Sequence, residues 1–194
     1  MAKHRATFFV SLLAVLMLTA CSTTPPTHFY VLEALPHTAR ANSQALAIGI
    51  GPITLPALLD RKQMVTRLYD NRVQLAEFHQ WAEPLKDTLP RVIVKNLAEL
   101  QPSYVFRAYP WSAYGNVDYR IIIDIDSFAA ETKKTVKLSA SWAIMDERQH
   151  TIIKNGKIKF EHVLANPAPA AIAEAMSQLL SQFSQRLIQD SELH

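Results

Sequence analysis

Apolar positions recur along this chain in two distinct rhythms. Tyr119, Ile121, Ile123 and Ile125 alternate with Arg120, Asp124 and Asp126, which predicts a strand over 117–128 with one apolar face. Val136, Leu138, Ala140, Trp142 and Ile144 repeat that period, and 150–163 gives a third such stretch, so 117–163 reads as an antiparallel meander. Asn155-Gly156 inside the third stretch signals either a hairpin or a bulge in one long strand. Earlier, 29–32, 45–53 and 104–109 read as short strands. Gly49 and Gly51 suggest a bulge or close backbone approach, and Pro52 suggests that the second strand ends at a sheet edge. The stretches 63–69 and 72–77 flank Asp70-Asn71, two residues that tolerate positive φ, which predicts a hairpin.

A helical period appears twice. Leu85, Leu89, Ile93, Leu97 and Leu100 form one stripe. Pro90 is harmless there if Asp87 caps the helix; otherwise the helix starts near Pro84 and kinks. Ile172, Met176, Leu179, Phe183 and Leu187 form the second, with Asn166 as cap and Pro167 as first residue. Both amphipathic helices need a sheet face to cover. The expected fold is one α/β domain with a mixed, mainly antiparallel sheet.

The pattern differs before residue 29. Met1 to Arg5 is basic, and Phe8 to Ala20 is an apolar run of 13 residues, too short for a membrane span but suited to a cleaved secretory signal. It ends in Leu18-Thr19-Ala20-Cys21, which resembles the bacterial lipobox, with the chain's single Cys in the fourth place. That resemblance implies a diacylglycerol on Cys21, cleavage before it, and an acyl chain on the new amino terminus. Ser22 after the Cys implies, by resemblance to lipoprotein sorting, release to the outer membrane, with retention at the inner membrane left open. The expected organisation is a signal peptide over 1–20, a lipidated tether over 21–28 stiffened by Pro25 and Pro26, and a domain over 29–190.

Composition adds limits. A chain of 194 residues, 49% hydrophobic and 19% charged, is globular rather than disordered. One Cys excludes a disulfide framework, so stability must come from the core. The formal charge of +3 falls once Lys3 and Arg5 leave with the signal, to 18 basic against 17 acidic residues, and gives no nucleic-acid signature.

Candidate chemistry is sparse. There is no Gly-rich phosphate loop, no Gly-x-Ser-x-Gly and no His-Glu-x-x-His, and the seven His are scattered. Asp124 and Asp126 share a strand face, as a metal or acid–base pair would, or as a solvated row opposite Lys133, Lys134 or Lys137. His79 near Trp81 offers a base without a visible nucleophile or orienting partner.

The distinctive stretch lies in 48–100: Pro56-Ala-Leu-Leu-Asp-Arg61, then Gln63-Met-Val-Thr-Arg67, then Trp81-Ala-Glu-Pro84-Leu85, with Asn96-Leu97 on the helix. In this order, behind a lipobox, they resemble the PqiC-like family of ABC-type transport auxiliary lipoproteins. The resemblance implies a three-layer α/β domain and no catalytic residues, metal or cofactor beyond the acyl chains on Cys21. It further implies an outer-membrane lipoprotein working with a periplasmic MCE-domain protein, and through it with inner-membrane components, in moving lipids between membranes. A homo-oligomeric ring continuing a lipid channel is compatible with that role. Pro56, Arg61, Arg67, Trp81, Pro84 and Leu85 are the candidate contacts, each with an alternative structural role: prolines ending strands or starting helices, arginines pairing locally, Trp81 filling core. A carrier with its own lipid cavity and a hydrolase using Asp124, Asp126 or His79 are the competing readings.

Overall fold

The computed structural model describes residues 24–35, 46–111, 115–132 and 134–191. In chain order these form β1 (His28–Tyr30), β2 (Ala47–Thr54), β3 (Gln63–Arg67), β4 (Val73–Trp81), α1 (Leu85–Leu100), β5 (Val105–Ala108), β6 (Tyr119–Glu131), β7 (Thr135–Asp146), β8 (Thr151–Val163) and α2 (Pro169–Ser191).

The long strand β6 organises one mixed sheet. One of its edges pairs throughout with β7, which pairs in turn with β8. Its other edge is shared: β2 lies parallel to the first half, from Ile48 opposite Tyr119 to Thr54 opposite Asp124, and β3 lies parallel to the end at Thr66 and Arg67. Beyond β2 comes β5; beyond β3 come β4 and then β1, which runs parallel to β4. The two longest ladders are antiparallel and the parallel pairings are short, as the periodicity implied.

Alternation places Ile121, Ile123 and Ile125 in the core, opposite Ile144, Trp142 and Ala140. Strict alternation would then turn Phe128 outward. A bulge between Ile125 and Ser127 shifts the register by one residue, and Phe128 is fully buried opposite Leu138. Both helices lie on this one face. They pack against each other, α2 over β6, β7 and β8, and α1 over β2 and β5. Sheet and helices form the single mixed α/β domain expected; the opposite sheet face carries the exposed Asp124 and Asp126.

Two of the local expectations change, at the start of α2 and at Asn155-Gly156. Of the two starts left open for α1, the one near Pro84 forms, with Pro90 inside the helix, because this start brings Leu85 into the core at 2% exposure. The bond forfeited at Pro90 would have reached the carbonyl of Lys86, an exposed residue that water can serve. Helix α2 starts at Pro169, not Pro167: the residue before a proline disfavours helical angles, so Ala168 stays outside and its carbonyl accepts the Ile172 N–H at 3.0 Å. Strand β2 lies between β5 and β6 only as far as Ile50; its end beyond Gly51 pairs with β6 alone and so lies at an edge, as Pro52 suggested, and the ladder to β6 itself breaks between Ile50 and Ile53. Asn155-Gly156 is neither hairpin nor bulge; the register shift falls earlier, opposite Ile144 and Met145. Gly156 serves Trp142 across the strand, since a Cβ there would meet the indole at 2.9 Å. The hairpin at Asp70-Asn71 forms as expected, both residues at positive φ of 62° and 59°.

Candidate functional site

Cys21 and Lys133 lie outside the described residues. Residues 24–27 are exposed and lead into β1 at the sheet margin, where His28 sits opposite His79 of β4.

The motif residues mostly build the frame. The Pro56 carbonyl accepts the Leu59 N–H at 2.8 Å, and the Arg61 Nε donates to the Leu58 carbonyl at 2.8 Å. These two bonds close the turn that presses Leu59 into the core. Trp81 is 4% exposed, and its N–H bonds the Lys62 carbonyl at 2.7 Å. The carbonyl of Pro84 accepts from the N–H groups of Asp87 and Thr88, opening α1. Trp81 and Leu85 also line an open groove of about 480 Å³ between the 30–34 segment and α1, while the Glu83–Arg91 ion pair spans the helix start. Arg67 differs: it is exposed at the end of β3 and its guanidinium has no hydrogen bond or ion pair with another described residue.

The other candidates are kept apart. His79 Nδ1 bonds the Tyr30 hydroxyl at 2.9 Å, and its ring stacks on His28 with centroids 5.4 Å apart. Asp124 takes the Thr54 hydroxyl and Asp126 the Ser139 hydroxyl, both partners on neighbouring strands. The aspartates are thus a solvated row satisfied by hydroxyls rather than by lysines. Lys137 goes instead to Glu131 at 2.7 Å and Glu161 at 3.6 Å; the Glu131 contact foremost holds its ammonium above the ordinary lysine range. Among the described residues no cluster of three His, Cys, Asp or Glu could hold a metal. A core cavity beside Phe128 and Met176 measures about 10 Å³, room for at most one water. No helix among the described residues is long and apolar enough to cross a membrane.

Two features went unread in the sequence. The first closes the end where β6 starts. Asp118 accepts the Ala47 N–H at 2.9 Å and Arg148 at 2.8 Å, and the backbone bond foremost holds its carboxyl below the usual aspartate range, against the opposing effect of burial. The second is the opposite end, where the 68–72 hairpin tip meets the end of β6 through the Thr132 N–H bond to the Arg67 carbonyl. Tyr69, Val73 and Val163 stand exposed there, with Arg67, Arg72 and Lys134. The Asp70-Asn71 signal located that tip; nothing in the sequence showed that the end of β6 lies beside it.

A mixed α/β domain whose motif residues are spent on turns and helix starts has the character of a structural module. Consistent with this, the model of the family described as ABC-type transport auxiliary lipoprotein component matches residues 30–187. The chain belongs to that family. Its fold is similar to the crystal structure of an uncharacterized protein, with a TM-score of 0.74 and 16% identity over 87% of this chain and 100% of the other. It is also similar to protein XCC0632 from Xanthomonas campestris, with a TM-score of 0.64 and 15% identity over 84% of this chain and 92% of the other. Comparison with curated proteins returns no match.

Proposed function

We propose that the protein is a non-catalytic, lipid-anchored component that ties an MCE-type transport assembly to the outer membrane from the periplasmic side. The observation that carries this reading is the pairing of a family match over 30–187 with a lipobox cysteine at position 21. Acyl chains on Cys21 would each add about 0.8 kcal/mol of membrane affinity per buried methylene, and more than one chain makes such anchoring stable. Anchoring confines the search for a partner to one surface and raises its effective concentration. The frame-building roles of Pro56, Arg61, Trp81, Pro84 and Leu85 support a rigid adaptor over an enzyme. The test is affinity purification of the tagged protein from crosslinked cell envelopes. An MCE-domain protein should co-purify; its repeated absence, with bait intact and correctly located, sinks the partner assignment.

A further inference from the structure

The direction of β1 says which end of the domain faces the anchor. Strand β1 runs parallel to β4, and β4 begins at the hairpin tip. The chain before His28 therefore approaches from the side of the 68–72 hairpin. From the level of His79 back to Val73 is six residues of β4, at most about 20 Å. From His28 back to Cys21 is seven residues, a reach of at most about 24 Å. An extended tether, which Pro25 and Pro26 favour, brings position 21 to the level of the tip.

We propose that this end, built by the 68–72 hairpin with Thr132 and Lys134, rests on the anionic phospholipid surface of the membrane that holds the anchor. This rests on the lipid-anchor reading of Cys21. The chemistry at the tip fits headgroups. The Arg67 guanidinium has no partner among the described residues, Arg72 meets Asp70 only at 3.8 Å with both side chains solvated, and Lys134 is exposed with φ of 58°. Tyr69, 56% exposed, offers a ring and hydroxyl suited to the interface between headgroup and acyl chain. Val73 and Val163 stand beside it, 41% and 75% exposed. The acids at this end are Asp70, Glu131 and Glu161, and the last two are already engaged by Lys137. Basic residues near an anionic surface each strengthen association about fivefold at moderate salt.

The test uses the full lipidated chain in vesicles of phosphatidylethanolamine and phosphatidylglycerol, with phosphatidylcholine vesicles as the reference. Cys21 is the chain's single cysteine, so once it is acylated, Thr132→Cys offers one free thiol at the tip and Gln149→Cys one at the far end. Each carries an environment-sensitive dye. The dye at 132 should be shielded from an aqueous quencher in the anionic vesicles, and the dye at 149 should not. High salt should remove the shielding, as should the triple variant Arg67→Glu, Arg72→Glu, Lys134→Glu, whose fold is checked by thermal melting. Equal quenching at both positions, on protein whose Cys21 is acylated by mass analysis, overturns the proposal while the anchor reading stands. If that analysis finds Cys21 bare, the anchor reading fails and the tip is judged on its own. Sedimentation with the anionic vesicles, weakened about a hundredfold by the triple variant, then sustains it, and no sedimentation overturns it.

Discussion

The two ends of the sheet carry similar charges and use them differently. Where β6 begins, Asp118 holds Arg148 and the Ala47 N–H, and Arg120 meets Glu147 at 2.7 Å. These contacts join β2, β6 and the turn after β7, so the charges close the fold. At the hairpin end Lys137 ties Glu131 to Glu161, but the side chains of Arg67, Arg72 and Lys134 hold no strand to another among the described residues. Basic residues that the fold does not consume are available to something outside it, and under the proposed anchor at Cys21 the approach of the tether would bring a membrane to that side.

The largest effect should come from a residue that belongs to neither end. Leu85 is 2% exposed beneath the start of α1, and Leu85→Ala should lower unfolding free energy by about 2–5 kcal/mol in chemical denaturation. Vesicle association of the folded fraction should not change. If association fell along with stability, the motif would itself be a contact surface, and the division between frame and tip would fail.

Much of this frame was legible in the sequence. Alternation gave β6, β7 and β8, and the two stripes gave both helices, because burial on one face enforces period. The hairpin at Asp70-Asn71 was legible because two successive positive φ angles select few residue types. What escaped depends on contacts between distant segments. The bulge beside Asp126 exists so that Phe128 can reach the core, and strict alternation cannot show it. The close approach at Gly49 and Gly51 was visible, but its cause, the Tyr109–Trp111 ring pair packed on β2, was not. The family motifs drew attention to Pro56, Trp81 and Pro84, which shape turns, and away from the tip residues, whose grouping requires β3 to meet the end of β6.

A smaller effect is expected at the closed end. The folded-state pKa of Asp118 lies below its unfolded value, so its contribution is complete above the unfolded value and disappears as pH falls through the folded one. Asp118→Asn should therefore cost about 1 kcal/mol at neutral pH, the worth of one charge-assisted backbone bond, with little added by the exposed Arg148. Thermal melts should show the wild type and variant converging in acid. A deficit that persisted below the folded pKa would mean that the side chain acts through shape rather than charge. Association with anionic vesicles should be the same for both.

The smallest effect discriminates most sharply between the two ends. Asp70 is the solvated acid nearest Arg72, and it occupies a left-handed turn position that Asn also accepts. Asp70→Asn should shift stability by no more than about 0.5 kcal/mol, since an exposed pair at 3.8 Å contributes little. It removes one negative charge from a surface proposed to meet negative headgroups, so association with phosphatidylglycerol vesicles should rise by up to about fivefold, with no change on phosphatidylcholine. A fall in association would mean that Asp70 holds Arg72 in place, as Asp118 holds Arg148. The tip would then be a second internally organised cluster, and the contrast between its charges and those of the closed end would vanish.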